Sequence, residues 1–311
     1  MLAYPAIRRA IEMVGRENVY FIVFEDNRFI LDVMEIIPEQ NVITISIKSP
    51  FALALGALRA VLRARKIDID AAIDMEFLTR FSAMLTFLTG AKSRVGFHTF
   101  FGDGPYRGDL MTHRLLYNPH IHTSQMFEAM VEALTRDPAT LPTFDYKPPE
   151  DQPFAKFNPS PNEAAEVDAL LQRENPEIGS APLILLNPNA SDLLPLRRWP
   201  PFRYVDLARK LLEHYPDLFI AFTGAPAEAA ANNQLAADVG SDRVIPLAGK
   251  TTLRQVLVLY TRSEILVTND SGPAHFASMT PIHVVTLFGP ETPELFGARS
   301  ANAEFLYAGI A

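Results

Sequence analysis

The feature that most constrains the fold is a series of short, unbroken apolar runs, each halted by a polar or glycine residue and followed by a segment of helical period. In the second half, residues 183–186 (LILL) halt at Asn187-Pro188, 218–222 (LFIAF) at Thr223-Gly224, and 265–267 (ILV) at Thr268. Residues 244–245 and 283–287 repeat the pattern in shorter and longer form. Runs of this kind read as strands buried on both faces. Helical segments at 202–214, 227–237, 253–260 and 273–278 alternate with them, so this half predicts a doubly wound α/β unit.

The first half alternates in the same way. Residues 19–24 (VYFIVF), 42–47, 71–74 and 93–97 read as strands, and 51–65 and 77–88 as helices, the second closed by Gly90. That predicts another parallel sheet with helices on its faces. Between residues 137 and 162 the composition shifts: seven of the 25 prolines fall there, which marks a linker between domains 1–155 and 156–311. Two Rossmann-like units so joined are expected to hold a ligand in the cleft between them, at the carboxyl ends of their strands.

Charge and composition narrow the partners. With 28 basic and 36 acidic residues the formal charge is −8, which argues against a nucleic-acid partner. The absence of cysteine excludes disulfides and thiolate metal sites and fits a reducing compartment. Residues 1–10 place Arg8 and Arg9 after the apolar residues, the reverse of a secretory leader, and the longest apolar run, 51–58, is too short to span a bilayer. The expectation is a cytoplasmic protein. Residues 51–66 add a nuance: an apolar face ending in Arg59, Arg63, Arg65 and Lys66 suits anionic headgroups and predicts peripheral contact with the inner membrane surface.

Three segments carry chemistry. In V-T-N-D-S-G-P-A-H (267–275) a buried strand opens into a helix. Asp270 and Ser271 stand at N-cap positions, Gly272 lets backbone approach a ligand, and free N–H groups there favour an anion such as a diphosphate. His275 lies about one turn into the helix, on the side that can face the same ligand. The bland alternative is a capped helix with a core histidine. In N-P-N-A-S-D-L-L-P-L-R-R-W (187–199), a strand end carrying Asn187 opens into a polar loop that ends at Arg197, Arg198 and the only tryptophan. Arginine's planar fork suits phosphate, although Trp199 and at least one arginine are expected to be structural. In T-G-A-P-A-E (223–228), Gly224 precedes Glu228, a carboxylate able to accept from ribose hydroxyls or, more plainly, to decorate a helix start. Two patterns are set aside: Asp68-Ile69-Asp70, which reads as a solvated turn and not a metal pair, and the loose glycine spacing of 102–108, interrupted by Pro105.

Taken in order, N-P-N-A-S with R-R-W-P, F-T-G-A-P-A-E, P-L-A-G-K-T-T-L (246–253), T-N-D-S-G-P-A-H and L-F-G-P-E-T-P (287–293) resemble glycosyltransferase family 9, the ADP-heptose:lipopolysaccharide heptosyltransferases and their relatives. A weaker likeness covers 69–97, ending in T-G-A-K-S-R-V-G-F. The resemblance implies two Rossmann-like domains facing across a cleft (the GT-B arrangement) and inverting, metal-independent transfer from a nucleotide sugar such as an ADP-sugar to a glycolipid or glycan acceptor, with no further cofactor. It implies that Ser271, Gly272 and one of Arg197 or Arg198 meet the diphosphate. It implies too that Glu228 holds the ribose, that Lys250 and Thr251 lie near the base, and that Asp270 and His275 face the sugar and phosphates. Relatives carry the catalytic base on a Gly-Asp loop that would precede Met1, and they continue past Ala311. The general base is therefore expected to lie outside this chain, with Asp74 and Glu76 the nearest substitutes. Two other activities fit the same features: a nucleotide-sugar binder without turnover, and a nucleotide-sugar epimerase.

Overall fold

The computed structural model describes residues 1–99, 107–142, 146, 147, 149, 154–190 and 194–309. It divides into two compact units, Met1–Pro153 and Phe154–Ala311.

In the first unit, β1 (Phe21–Phe24) pairs in parallel with β2 (Val42–Ile45), while β3 (Ala71–Asp74), β4 (Ser93–Thr99) and β5 (His113–Leu116) form a second parallel sheet. The single sheet expected from the sequence is thus two among the described residues. The helices are α1 (Tyr4–Val14), α2 (Arg28–Met34), α3 (Pro50–Ile67), α4 (Arg80–Leu88) and α5 (Thr123–Ala133). Helix α1 joins the sheets through neighbouring residues. Ala6 packs with Val95, Phe97 and Leu115, and Ile7 packs with Val19, Leu31 and Val42. Ser49 caps α3 by accepting from the Ala52 N–H at 3.1 Å, with Pro50 in the first turn where its missing N–H costs nothing.

The second unit carries β6 (Leu183–Asn187), β7 (Phe219–Phe222), β8 (Val244–Pro246), β9 (Ile265–Asn269), β10 (His283–Phe288) and β11 (Ala303–Tyr307). Its helices are α6 (Pro161–Glu174), α7 (Pro201–His214), α8 (Ala229–Val239), α9 (Leu253–Arg262), α10 (Gly272–Ala277) and α11 (Pro293–Phe296). All six strands are parallel, in the order β11-β10-β9-β6-β7-β8. The chain starts in the middle at β6, winds outward to β8, then crosses back to β9 and winds the other way. This is the doubly wound order, and its switch point falls between β6 and β9. Strands β6 and β7 are buried along their whole length, which is why both read as apolar runs. Ile184, Leu186, Ile220, Phe222 and Val267 form the core against Tyr204, Val205, Ala208 and Leu212 of α7, with Trp199 packed on its edge.

Candidate functional site

A doubly wound sheet opens a crevice at its switch point, because the connections from the two adjacent strands leave in opposite directions. Here those strands end at Asn187 and Asn269. The loops that follow are tied by a network of buried amides. Asn187 donates to Thr223 Oγ1 at 3.3 Å and accepts from the Asn189 N–H at 3.2 Å. Asn189 donates to the Thr223 carbonyl at 3.0 Å and accepts from Asn232 of α8 at 3.1 Å. Asn269 donates to the Asn189 carbonyl at 3.2 Å and accepts from the Trp199 N–H at 2.9 Å and the Tyr204 hydroxyl at 3.0 Å. Side-chain amides both give and take, so a few of them lock the ends of β6, β7 and β9 together. Asn232 is not among the residues the sequence singles out; its one signal is an asparagine, a poor helix former, on the buried side of a helix.

Asp270 follows β9 and is buried, and its N–H donates to the Leu287 carbonyl at 3.0 Å. It does not cap α10. Ser271 occupies the cap position, but its hydroxyl donates back to the Asn269 carbonyl at 3.1 Å, so neither side chain serves as the expected cap. Arg197 Nε lies 3.5 Å from Asp270 Oδ2, and the same guanidinium donates to Glu291 at 3.3 Å. Burial raises the Asp270 carboxyl above its ordinary range; Arg197 pulls it back down and Glu291 adds to the rise. The Arg197 loop is held close to β10. A Cβ on Gly289 would lie 2.9 Å from the Leu196 carbonyl oxygen. Arg198 turns the other way and donates twice to the Ala190 carbonyl, at 3.1 and 2.6 Å. Of the two arginines, Arg197 is the one beside Asp270. His275 is half-buried, and its carbonyl accepts from Ser278. Gly272 is exposed, and a Cβ there would only touch the Phe276 ring at 3.6 Å, so packing alone does not demand glycine.

Around the end of β7, Glu228 accepts from the Ala225 N–H at 2.7 Å. Gly224 has no room for a side chain: a Cβ would stand 2.6 Å from Asn189 Nδ2 and 2.9 Å from Glu228 Oε2. Gly249, at φ +77°, turns the chain beside it and donates to the Gly224 carbonyl at 2.9 Å. Lys250 follows and pairs with Glu174 at 2.5 Å, and Thr251 sits half-exposed before Thr252, which caps α9. The predicted residues thus fall in two neighbourhoods: Asn187, Arg197, Asp270, Ser271 and Gly272 at the switch point, and Gly224, Glu228 and Lys250 one strand over.

In the first unit, Asp74 is no open carboxylate. Arg107 Nη2 pairs with it at 2.5 Å, both side chains being buried, and the same guanidinium donates to the Thr79 carbonyl at 3.0 Å and to Ser82 Oγ at 2.9 Å. A buried, ion-paired carboxylate is poorly placed to take a proton from an acceptor, which corrects the expectation for Asp74. Glu76 is exposed, accepting from the Phe77 and Leu78 N–H groups. Asp68 adopts a left-handed conformation at the end of α3, the turn expected of it, and residues 102–106 of the glycine pattern lie outside the described residues. Among the described residues, no group of three histidine, aspartate or glutamate side chains is arranged to hold a metal, and no helix is long and apolar enough to cross a membrane.

The sequence pattern of Glycosyltransferase family 9 (heptosyltransferase) matches residues 56–310. Lipopolysaccharide heptosyltransferase 2 of Escherichia coli is 26% identical over 265 residues, covering 82% of this chain and 70% of that protein. The Salmonella typhimurium protein of the same name is 27% identical over 233 residues, covering 72% of this chain and 61% of its own length. The match thus spans less than two thirds of the Salmonella relative. The solved structure of E. coli ADP-heptose lps heptosyltransferase II superposes with a TM-score of 0.73 at 20% identity, covering 98% of this chain and 86% of that one.

Proposed function

The chain belongs to glycosyltransferase family 9, and from that membership we propose that it transfers a heptose from ADP-heptose to a lipopolysaccharide-core-type acceptor, with inversion and without a metal. The observation that carries the proposal is the pairing of Arg197 with buried Asp270 beside the switch point of the second sheet.

In such a transfer an acceptor hydroxyl attacks the anomeric carbon from the face opposite the diphosphate. The bond to the diphosphate oxygen breaks, the nucleoside diphosphate leaves with the electron pair, and the hydroxyl proton passes to a base. Positive charge develops at the sugar ring and negative charge on the leaving group. Arg197 offers a planar cation to the second, and Asp270 a carboxylate to the first. Helix α10 has only six residues, so its dipole is a minor contributor and the charge of Arg197 matters more than the helix start. Ser271 and Gly272 add a hydroxyl and an unhindered backbone next to the diphosphate, and His275 a ring on the same short helix. Asn187 keeps the β6 end of this site in place. Glu228 would hold the ribose, with Lys250 and Thr251 beside the base; Arg198 is assigned to the loop. No cofactor besides the nucleotide sugar is invoked, and the setting is the cytoplasmic face of a membrane that presents the acceptor.

The test is calorimetry with ADP and with ADP-heptose, followed by product analysis with labelled donor. Transfer to a heptose- or Kdo-type lipid is expected. Retention without turnover, or release of an altered free sugar, would overturn transfer in favour of a binder or an epimerase. Asp270→Ala should weaken ADP-heptose more than ADP; equal losses would make Asp270 a purely structural residue.

A further inference from the structure

Helix α3 turns most of its large apolar side chains away from the core. The side that packs on β2 is built mainly of small residues, with Leu53 among them: Ala60, Val61 and Ala64 are buried, and a Cβ on Gly56 would stand 3.1 Å from Ile45 Cγ2. The other side carries Phe51, Leu55, Leu58 and Leu62, which at about 3.6 residues per turn form one stripe. Phe51 is 76% exposed, Leu58 55% and Leu62 57%. A helix packed on a sheet normally shows water its polar side. Nothing in helix propensity asks for leucine there, since lysine, glutamate or glutamine would serve as well.

Cations border the stripe. Arg59 and Lys66 fall on one side of it at that pitch and Arg65 on the other. Arg63 donates to the Gln40 carbonyl and Arg65 to the Leu88 carbonyl, bonds that fix both side chains and leave their charge in place. No ion pair among the described residues takes in Arg59, Arg63, Arg65 or Lys66. The bond to Leu88 also joins α3 to the end of α4, where Met84, Phe87 and Leu88 are themselves exposed. Residues 40–67 and 77–102 hold eight lysines and arginines and no aspartate or glutamate, in a chain whose net charge is −8. The face is therefore cationic and apolar at once.

We infer that the α3–α4 face of the first unit docks on an anionic phospholipid surface. Phe51, Leu58 and Leu62 enter the boundary between headgroups and acyl chains, and Arg59 and Lys66 meet the headgroups. A bilayer offers both chemistries together. A second copy of the chain offers the apolar stripe without the anions: a two-fold contact through this face would set cations against cations, with no carboxylate on either helix to relieve them.

The experiment is cosedimentation of the full chain with phosphatidylglycerol-containing vesicles and with phosphatidylcholine vesicles, at low and high salt. Binding to the anionic vesicles alone, weakened by salt, is expected. Arg59→Gln with Lys66→Gln should reduce partitioning roughly thirtyfold, at about a factor of five per cation. Phe51→Ser with Leu58→Ser should reduce it as well, and circular dichroism and ADP binding should stay as in the parent, since these side chains lie outside the core. A chain that stays in the supernatant at low salt, binds neutral vesicles equally, or binds unchanged in both variants overturns the inference. So does a dimer in ultracentrifugation that the Phe51/Leu58 variant dissolves while vesicles capture nothing.

Discussion

Oδ2 of Asp270 lies 3.5 Å from Nε of Arg197, and neither atom, though buried, makes a hydrogen bond. Buried polar atoms are nearly always bonded, so a facing donor and acceptor that attract without bonding mark a place where each has capacity to spare for something else. A diphosphate would take the N–H and a sugar hydroxyl would give to the carboxylate. Arg197→Met should therefore weaken ADP binding by about 10- to 150-fold, the range for a lost charged hydrogen bond. Arg198→Met should instead lower the melting temperature, because its partner is the Ala190 carbonyl of its own loop. Calorimetry and thermal melts on both variants separate the roles, and an ADP affinity more sensitive to Arg198 would reverse them.

The same pair sets a pH dependence. The Asp270 carboxyl is raised chiefly by burial, so the folded chain keeps its proton to higher pH than the unfolded chain does. Stability from that source is complete below the unfolded carboxyl's pKa and is lost as pH rises through the folded value. Asp270→Asn has no such slope. The unfolding free energy of the parent relative to the variant should fall as pH rises above the ordinary carboxylate value of about 4, read from urea midpoints. A difference that grows with pH would mean that attraction to Arg197 outweighs burial.

Gly224 and Gly272 offer a contrast in steric demand. A Cβ at 224 would intrude on Asn189, Glu228 and Asn232, at 2.6, 2.9 and 3.1 Å, side-chain ends whose shift would strain the amide network. Gly224→Ala is expected to keep the fold while displacing Asn189 and Glu228, with nucleotide affinity down about tenfold if Glu228 holds the ribose as proposed. At 272 the protein leaves room, so Gly272→Ala should melt as the parent does, and any affinity it loses reports a ligand against that backbone. Unchanged affinity in both variants would remove these loops from the site.

Much of the second unit was legible because its central strands are buried on both faces. LILL and FIAF could be little else, and the residues that halt them fall at the carboxyl ends where a doubly wound sheet binds ligands. Edge and mixed elements were not. Strand β5 reads HRLL, half exposed, and β11 reads AEFLY at the margin of the sheet, so neither gave an unbroken apolar run. Helix α6 carries a capping box, Ser160 with Glu163, that was hidden by the proline-rich stretch before it. The choice between Arg197 and Arg198 depends on which way one loop turns, and a composition of two adjacent arginines holds no record of that. Nor could spacing show that Asp74 meets Arg107, since Asp74 ends β3, Arg107 lies between β4 and β5, and only folding brings the two together.

That last pair makes the sharpest stability test. Asp74 and Arg107 are enclosed together, and the guanidinium also ties the Thr79 carbonyl and Ser82 into the same cluster. Removing the carboxylate leaves a buried cation whose desolvation nothing offsets. Asp74→Ala should therefore destabilise the chain by about 3–5 kcal/mol. Removing both charges is a different matter, because the attraction between two buried ions only roughly repays what it costs to take them out of water. Asp74→Leu combined with Arg107→Met should recover most of the loss, apart from the hydrogen bonds to Thr79 and Ser82, each worth about 1 kcal/mol. Urea denaturation of the parent, Asp74→Ala and the double variant measures this directly, with circular dichroism as the control for a folded chain. If Asp74→Ala were as stable as the parent yet inactive in transfer, the carboxylate would belong to the chemistry after all and its pairing with Arg107 would be incidental.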